Sequence, residues 1–246
     1  MTTPRRDLVL GNRILAHHSI LDAYGHCSIR DPENADRFIL ARARAPELVT
    51  EDDLQTFDLQ GNLIGTDGRS PYIERFIHAA LYEMRPDVHA VCHSHTASVI
   101  PYSVIDLPLK VVFHTGAGIG ASVPVWDFET DFGLTNMLVS NMEQGRSLAR
   151  TLGQGRIALM RGHGCAFVGR SIQDIVTTGV YMDMNARMAT TAHLLSGGKV
   201  HYLSDDEVRM RNTQPSTPVE GTPPASQSRV SREWEAWCAQ IGETVD

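Results

Sequence analysis

Between Asp87 and Ile100 the chain reads DVHAVCHSHTASVI, an apolar and partly β-branched run suited to a buried strand. Two imidazoles, His93 and His95, stand one residue apart inside it. Side chains at i and i+2 of a strand point to the same face, so the pair emerges side by side. A fold that buries this strand must give both rings a polar use.

The surrounding segments supply the layers. Upstream, SPYIERFIHAALYEM puts Pro71 in a first helical turn, an apolar stripe from Ile73 to Leu81 behind it and Pro86 beyond its end. This predicts a helix that delivers the chain into the HSH strand. DLVLGNRILAHHSILDAYG, with Leu10, Ile14 and Leu21 near helical spacing, predicts an opening helix stopped by Gly25. HCSIR, RFILAR and LQTFDLQGNLIG read as strands, the last a hairpin turning at Gln60-Gly61-Asn62. PLKVVFH predicts a strand, HTGAGIGASVPVWDF a loop with a short strand, and LTNMLVSNMEQGRSLARTLG a helix. RIALMRGHGCAFVG predicts two strands broken at Gly162-His163-Gly164. A long helix follows, capped by Ser171 and stopped by Gly197. Strands in the middle and helices around them predict an α/β protein, a three-layer α/β/α sandwich on a mainly antiparallel sheet.

Residues 1–211 read as one catalytic domain and 212–230, rich in Pro, Ser and Thr, as an extended tether. Residues 231–246 carry Trp234, Trp237 and Ile241 at helical spacing, which predicts an amphipathic helix docked on its own subunit or on a neighbour. The net charge of −7 and pI near 5.9 argue against nucleic acid or an anionic membrane as the main partner. Four dispersed cysteines without a CxxC pair fit a reducing compartment. With no apolar stretch long enough for a leader or a span, the chain reads as cytoplasmic.

Two same-face imidazoles are a bidentate metal platform, and His163, free to stand out between two glycines, is the natural third ligand. His26, after Gly25, and Glu74, early on its helix, could add a fourth ligand or carry a proton. GAGIG at 116–120 lacks the βαβ setting of a dinucleotide site, and Cys92 and Cys165 read as packing residues.

The ordered set YGHCSIR, ERFIHAALYEMRPDVHAVCHSH, RGHGCAFVG and a following long helix resembles the class II aldolase/adducin superfamily over roughly residues 8–203. The resemblance implies that His93, His95 and His163 bind a divalent metal (Zn, Mn, Co or Fe). It also implies Glu74 as catalytic acid/base, and a homotetramer or a multiple of it. Adducin-like members lack a full metal set; this chain retains one, which favours an enzyme over an assembly module.

Where the sugar-phosphate aldolases of that family carry phosphate donors, this chain has Gly25-His26, ARARAPE and Tyr72-Ile73. A flat carboxylated ring suits His26, Arg42, Arg44 and Tyr72 better, although either arginine could instead face solvent. DAYGHCSIR, ERFIHAALY and HSH look closest to the family's decarboxylases of hydroxylated aromatic acids, such as dihydroxyphthalates and hydroxypyridine dicarboxylates. The resemblance therefore implies a metal-dependent carboxy-lyase of an aromatic carboxylate, with Glu74 as proton donor to the ring carbon and His26 as second choice. The alternative is an aldolase or epimerase on an unphosphorylated hydroxy-keto compound.

Overall fold

The computed structural model describes residues 3–213 and 231–245. Thr3 caps helix α1 (Pro4–His17), its hydroxyl accepting the Arg6 N–H. α1 ends well before Gly25, because Ser19 takes a φ of 59° and turns the backbone out of the helix. The released loop lets Asp22 reach the site described below.

Strands β1 (His26–Arg30), β2 (Arg37–Ala41), β3 (Leu54–Asp58) and β4 (Ala90–Ser94) form one half of the sheet. β5 (Val125–Trp126), β6 (Ile157–Met160) and β7 (Gly164–Gly169) form the other. The seven strands run in the order β3-β2-β1-β4-β7-β6-β5, antiparallel throughout except for the parallel pair β5 and β6. β1, β4 and β7 are buried along their whole length, as central strands covered on both faces must be. α1 and the long α5 (Ile172–Ser196) cover one face, and α2 (Arg75–Met84) and α4 (Met142–Leu152) cover the other. Ser171 caps α5 and Gly197, in the left-handed region at φ 60°, ends it.

Several local readings change. PLKVVFH forms no strand: Val112 donates to Asn185 Oδ1 at 2.9 Å and Asn185 Nδ2 donates to the Lys110 carbonyl at 2.8 Å, so α5 claims the groups that a ladder would use. α4 begins only at Met142, because the Val139 N–H bonds to Glu74 and Met137 sits at φ 62°. α2 begins at Arg75 rather than near Pro71, whose segment instead forms an isolated bridge to Arg42. The Gly61 turn returns the chain to a single bridge, Phe57 to Leu63, instead of a full second strand.

Two short helices, α3 (Phe128–Phe132) and α6 (Asp205–Thr213), have no counterpart in the sequence reading. α6 buries only Val208, so it has no apolar stripe to read. Its signal is polar: Ser204 before three acidic residues, with an arginine in the last turn. It takes in Asn212 and Thr213, the start of the expected tether; the rest of that stretch, 214–230, lies outside the described residues. α7 (Arg232–Gln240) packs on α1 and α5 of its own subunit through buried Trp234 and Trp237, and beyond it Glu243 pairs with Arg6 and Arg13 at 2.5 and 3.1 Å. No helix among the described residues is long and apolar enough to cross a membrane.

Candidate metal centre and substrate cavity

In the β1–β4 ladder His26 stands directly opposite His93, and both rings face the layer of α2 and α4. Just past the end of β4 comes His95. The turn between β6 and β7 carries His163, with Gly162 at φ 66° making the reversal. Gly164 is required next to it: a Cβ there would overlap the Ser94 carbonyl oxygen, so only glycine lets this turn lie against the HSH strand. Glu74 arrives from the N-cap of α2. Its carboxylate does not cap its own helix but reaches the neighbouring segment before α4, where Oε1 accepts the Val139 N–H at 3.0 Å.

One ligand atom from each of Glu74, His93, His95 and His163 falls within 4.8 Å of the others. Glu74 Oε2 is 3.2 Å from His93 Nε2 and 3.7 Å from His163 Nε2, and His163 Nε2 is 3.1 Å from His95 Nε2. Two of the three rings are anchored at the back. His93 Nδ1 donates to the Cys165 carbonyl at 3.1 Å, and His95 Nδ1 faces Asp22 Oδ2 at 3.0 Å, which leaves each Nε2 lone pair pointing inward. His93 Nε2 is buried with no hydrogen bond of good geometry. Converging lone pairs repel unless a cation lies among them. Three nitrogens and one carboxylate oxygen are a donor set that suits a divalent transition metal.

The charges agree with that use. Burial pushes the Glu74 carboxyl up, but His93, His163 and the Val139 N–H together outweigh it and bring it down to about 2. Burial and the neighbouring His93 bring His163 down to about 4. Glu74 is therefore an ionised acceptor and His163 a neutral imidazole at neutral pH.

Above this floor opens a cavity of about 730 Å³. Its walls include Tyr24, Ile73, Leu138 and Arg44, with His26 and Tyr72 on one side. The Tyr72 ring lies against His26 at 4.3 Å between centroids, and its hydroxyl donates to the Arg44 carbonyl. Burial pushes that hydroxyl up to about 12, so Tyr72 presents a neutral ring face.

Arg42 is not among the lining residues. Its Nε bonds Asp53 Oδ1 at 2.7 Å, and Arg44 Nη1 bonds Asp53 Oδ2 at 2.8 Å. Sequence reasoning misses Asp53, although Thr50 three residues before it is a capping-box signature, and that box is present. Asp22, the partner of His95, carries no comparable signal. His78 does: it lies four residues after Glu74, on the same face of α2.

Asp53 supports a stability prediction. Burial raises its carboxyl, but Thr50, Arg44 and Arg42 outweigh burial and hold it far below the ordinary range. A depressed carboxylate stabilises the fold above its unfolded value near ~4, and that contribution fades as pH falls below it. Asp53 is almost wholly buried, while the arginines keep 29% and 33% of their side-chain surfaces in water. Asp53→Asn is expected to cost about 2–3 kcal/mol at neutral pH, less than a fully buried pair and more than a surface one. At pH 3 the difference from wild type should shrink; urea unfolding at both pH values checks it.

A Glu/His₃ cluster at one end of a mostly antiparallel α/β/α sheet defines the class. The chain belongs to the Class II Aldolase and Adducin N-terminal domain family, whose match spans residues 6–190. Decarboxylase tropJ of Talaromyces stipitatus is 32% identical, covering 97% of this chain and 94% of its own. The 3,4-dihydroxyphthalate decarboxylase of Arthrobacter keyseri is 26% identical over 83% of this chain and 84% of its own. Among solved structures, an aldolase II superfamily protein from Pseudomonas syringae superposes with a TM-score of 0.74 at 20% identity, covering 97% of this chain and 91% of that one. That likeness concerns the fold.

Proposed function

We propose that the protein is a divalent-metal-dependent decarboxylase of a hydroxylated aromatic or heteroaromatic carboxylic acid, such as a dihydroxyphthalate or a hydroxypyridine dicarboxylate. The observation that carries this is the Glu74–His93–His95–His163 cluster at the base of a cavity with apolar walls and a guanidinium. The names of two relatives, both decarboxylases, support the reaction type.

His93, His95 and His163, with Glu74 beside them, would hold the ion. When bound, it supplies Lewis-acid stabilisation of negative charge on a substrate oxygen. Arg44 offers its free guanidinium edge to a second carboxylate, and Tyr72 and Ile73 offer flat and aliphatic surface to the ring. Glu74, ionised, accepts the substrate hydroxyl proton on Oε2 and passes it to the ring carbon that bears the carboxylate. That carbon becomes tetrahedral, carbon dioxide leaves, and the electron pair of the broken bond returns to the ring as it regains aromaticity. We also propose a homotetramer or a multiple of it, supported by large apolar side chains left exposed, including Tyr24 at 74% and Leu134 at 92%.

A substrate panel tests the reading. Dihydroxybenzoate-type and dicarboxylated rings should release carbon dioxide, sugar phosphates should not react, and chelation should stop turnover until metal is restored. Arg44→Ala should raise KM for a dicarboxylated ring more than it lowers kcat, since the contact holds ground and transition states alike. Efficient retro-aldol cleavage without decarboxylation would establish the aldolase alternative instead.

A further inference from the structure

Behind His26 the core holds a polar chain that packing alone does not require. His78, on α2, is fully buried; its Nε2 is 2.7 Å from His26 Nδ1, and its Nδ1 is 2.6 Å from Ser28 Oγ. Ser28 Oγ in turn lies 2.9 Å from the Tyr82 hydroxyl. Ser28 and His78 are 0% exposed and Tyr82 is 1% exposed, so the chain ends in the core and offers no path to solvent. Neither imidazole bonds to a carboxylate, and both rings are enclosed in the core, where an unpaired charge is costly, so each is read as a neutral ring. Each ring then has one donor and one acceptor.

Two directions of hydrogen bonding are open to such a chain. If His26 donated from Nδ1, His78 would donate to Ser28 and Ser28 to Tyr82, and the Tyr82 proton would be left in the core with no acceptor. In the reverse direction Tyr82 donates to Ser28, Ser28 to His78 Nδ1, and His78 Nε2 to His26 Nδ1. Every buried donor is then satisfied. An orphaned buried hydroxyl costs about 1–3 kcal/mol, enough to choose the second direction.

We infer that His78 is a positioning residue that fixes the tautomer of His26, holding its proton on Nε2, the nitrogen left for the cavity. His26 is thereby a hydrogen-bond donor to the substrate oxygen on which negative charge develops and is not available as a base, which leaves proton abstraction to Glu74. The tautomer stands on the hydrogen-bond chain alone; the identity of the oxygen that His26 meets rests on the decarboxylase reading.

The test uses the full chain, loaded with zinc and labelled with ¹⁵N at histidine. Long-range ¹H–¹⁵N spectra distinguish a protonated Nδ1 from a protonated Nε2, and the His26 signals are assigned by their loss in His26→Gln. The wild-type spectrum should show His26 protonated at Nε2. His78→Leu should lose that single tautomer, while His78→Gln, whose amide can donate to His26 and accept from Ser28, should keep it. With an aromatic acid substrate, His78→Leu should lower kcat roughly 10- to 100-fold with little change in KM, and His78→Gln should recover most of it. A wild-type His26 protonated at Nδ1 overturns the inference, and so does an unchanged tautomer in His78→Leu. Because the wild-type spectrum decides on its own, a variant that fails to fold does not remove the test. An Nε2–H tautomer in a protein that decarboxylates no aromatic acid would sink the functional reading and leave the role of His78 standing.

Discussion

His93→Ala is expected to strip the protein of bound metal and of turnover together. His93 is the most enclosed member of the cluster, at 0% exposure, and its ring is aimed by the Cys165 carbonyl so that Nε2 faces Glu74. Losing an outer partner of a metal ligand already costs about 10–100-fold in affinity, and losing the ligand itself should cost more. Metal analysis after dialysis would read the loss directly. A second readout is thermal: added metal should raise the melting temperature of the wild type and leave that of the variant unmoved. His95→Ala and His163→Ala should behave alike, although those two rings are less enclosed than His93. Metal retention by the wild type should also weaken as pH falls toward 4, where protons compete for the His163 lone pair. Full metal occupancy in all three alanine variants would place the ion elsewhere.

Glu74→Gln separates proton transfer from architecture. The amide oxygen can still accept the Val139 N–H, so the link between α2 and the segment before α4 survives. What disappears is an ionised carboxylate, able to take a proton and give it back. Turnover should fall by roughly 10²–10⁴, the usual contribution of a positioned acid/base. The three histidines should keep metal content within reach of wild type, and this distinguishes the variant from His93→Ala. A near-normal rate of carbon dioxide release by Glu74→Gln would mean that water or another group moves the proton.

Much of the Glu/His₃ cluster is legible in the amino-acid sequence, for a local reason. Residues two apart on a strand share a face, and glycines on both sides of a histidine free a turn, so His93, His95 and His163 announce themselves by spacing. The layered fold is legible too, since helical and strand periods alternate along the chain. Boundaries are less so. The helix expected over LTNMLVSNMEQGRSLARTLG loses its first turns to a single bond between Val139 and Glu74, 65 residues apart. The strand expected in PLKVVFH is lost to Asn185, more than 70 residues away.

The sequence by itself determined which chemistries the chain can offer: a same-face imidazole pair, a third histidine in a glycine turn and a glutamate at the head of a helix. Only the tertiary structure decided what each group is free to do. Asp53 engages both Arg42 and Arg44, and only Arg44 keeps an edge on the cavity. His78, by sequence one more residue on the inner face of α2, stands where it controls which nitrogen of His26 carries a proton. The physical reason is one of range. Periodicity and turn chemistry are written in neighbouring residues, whereas charge, tautomer and access depend on partners that the sheet and its two helical layers bring together from distant parts of the chain.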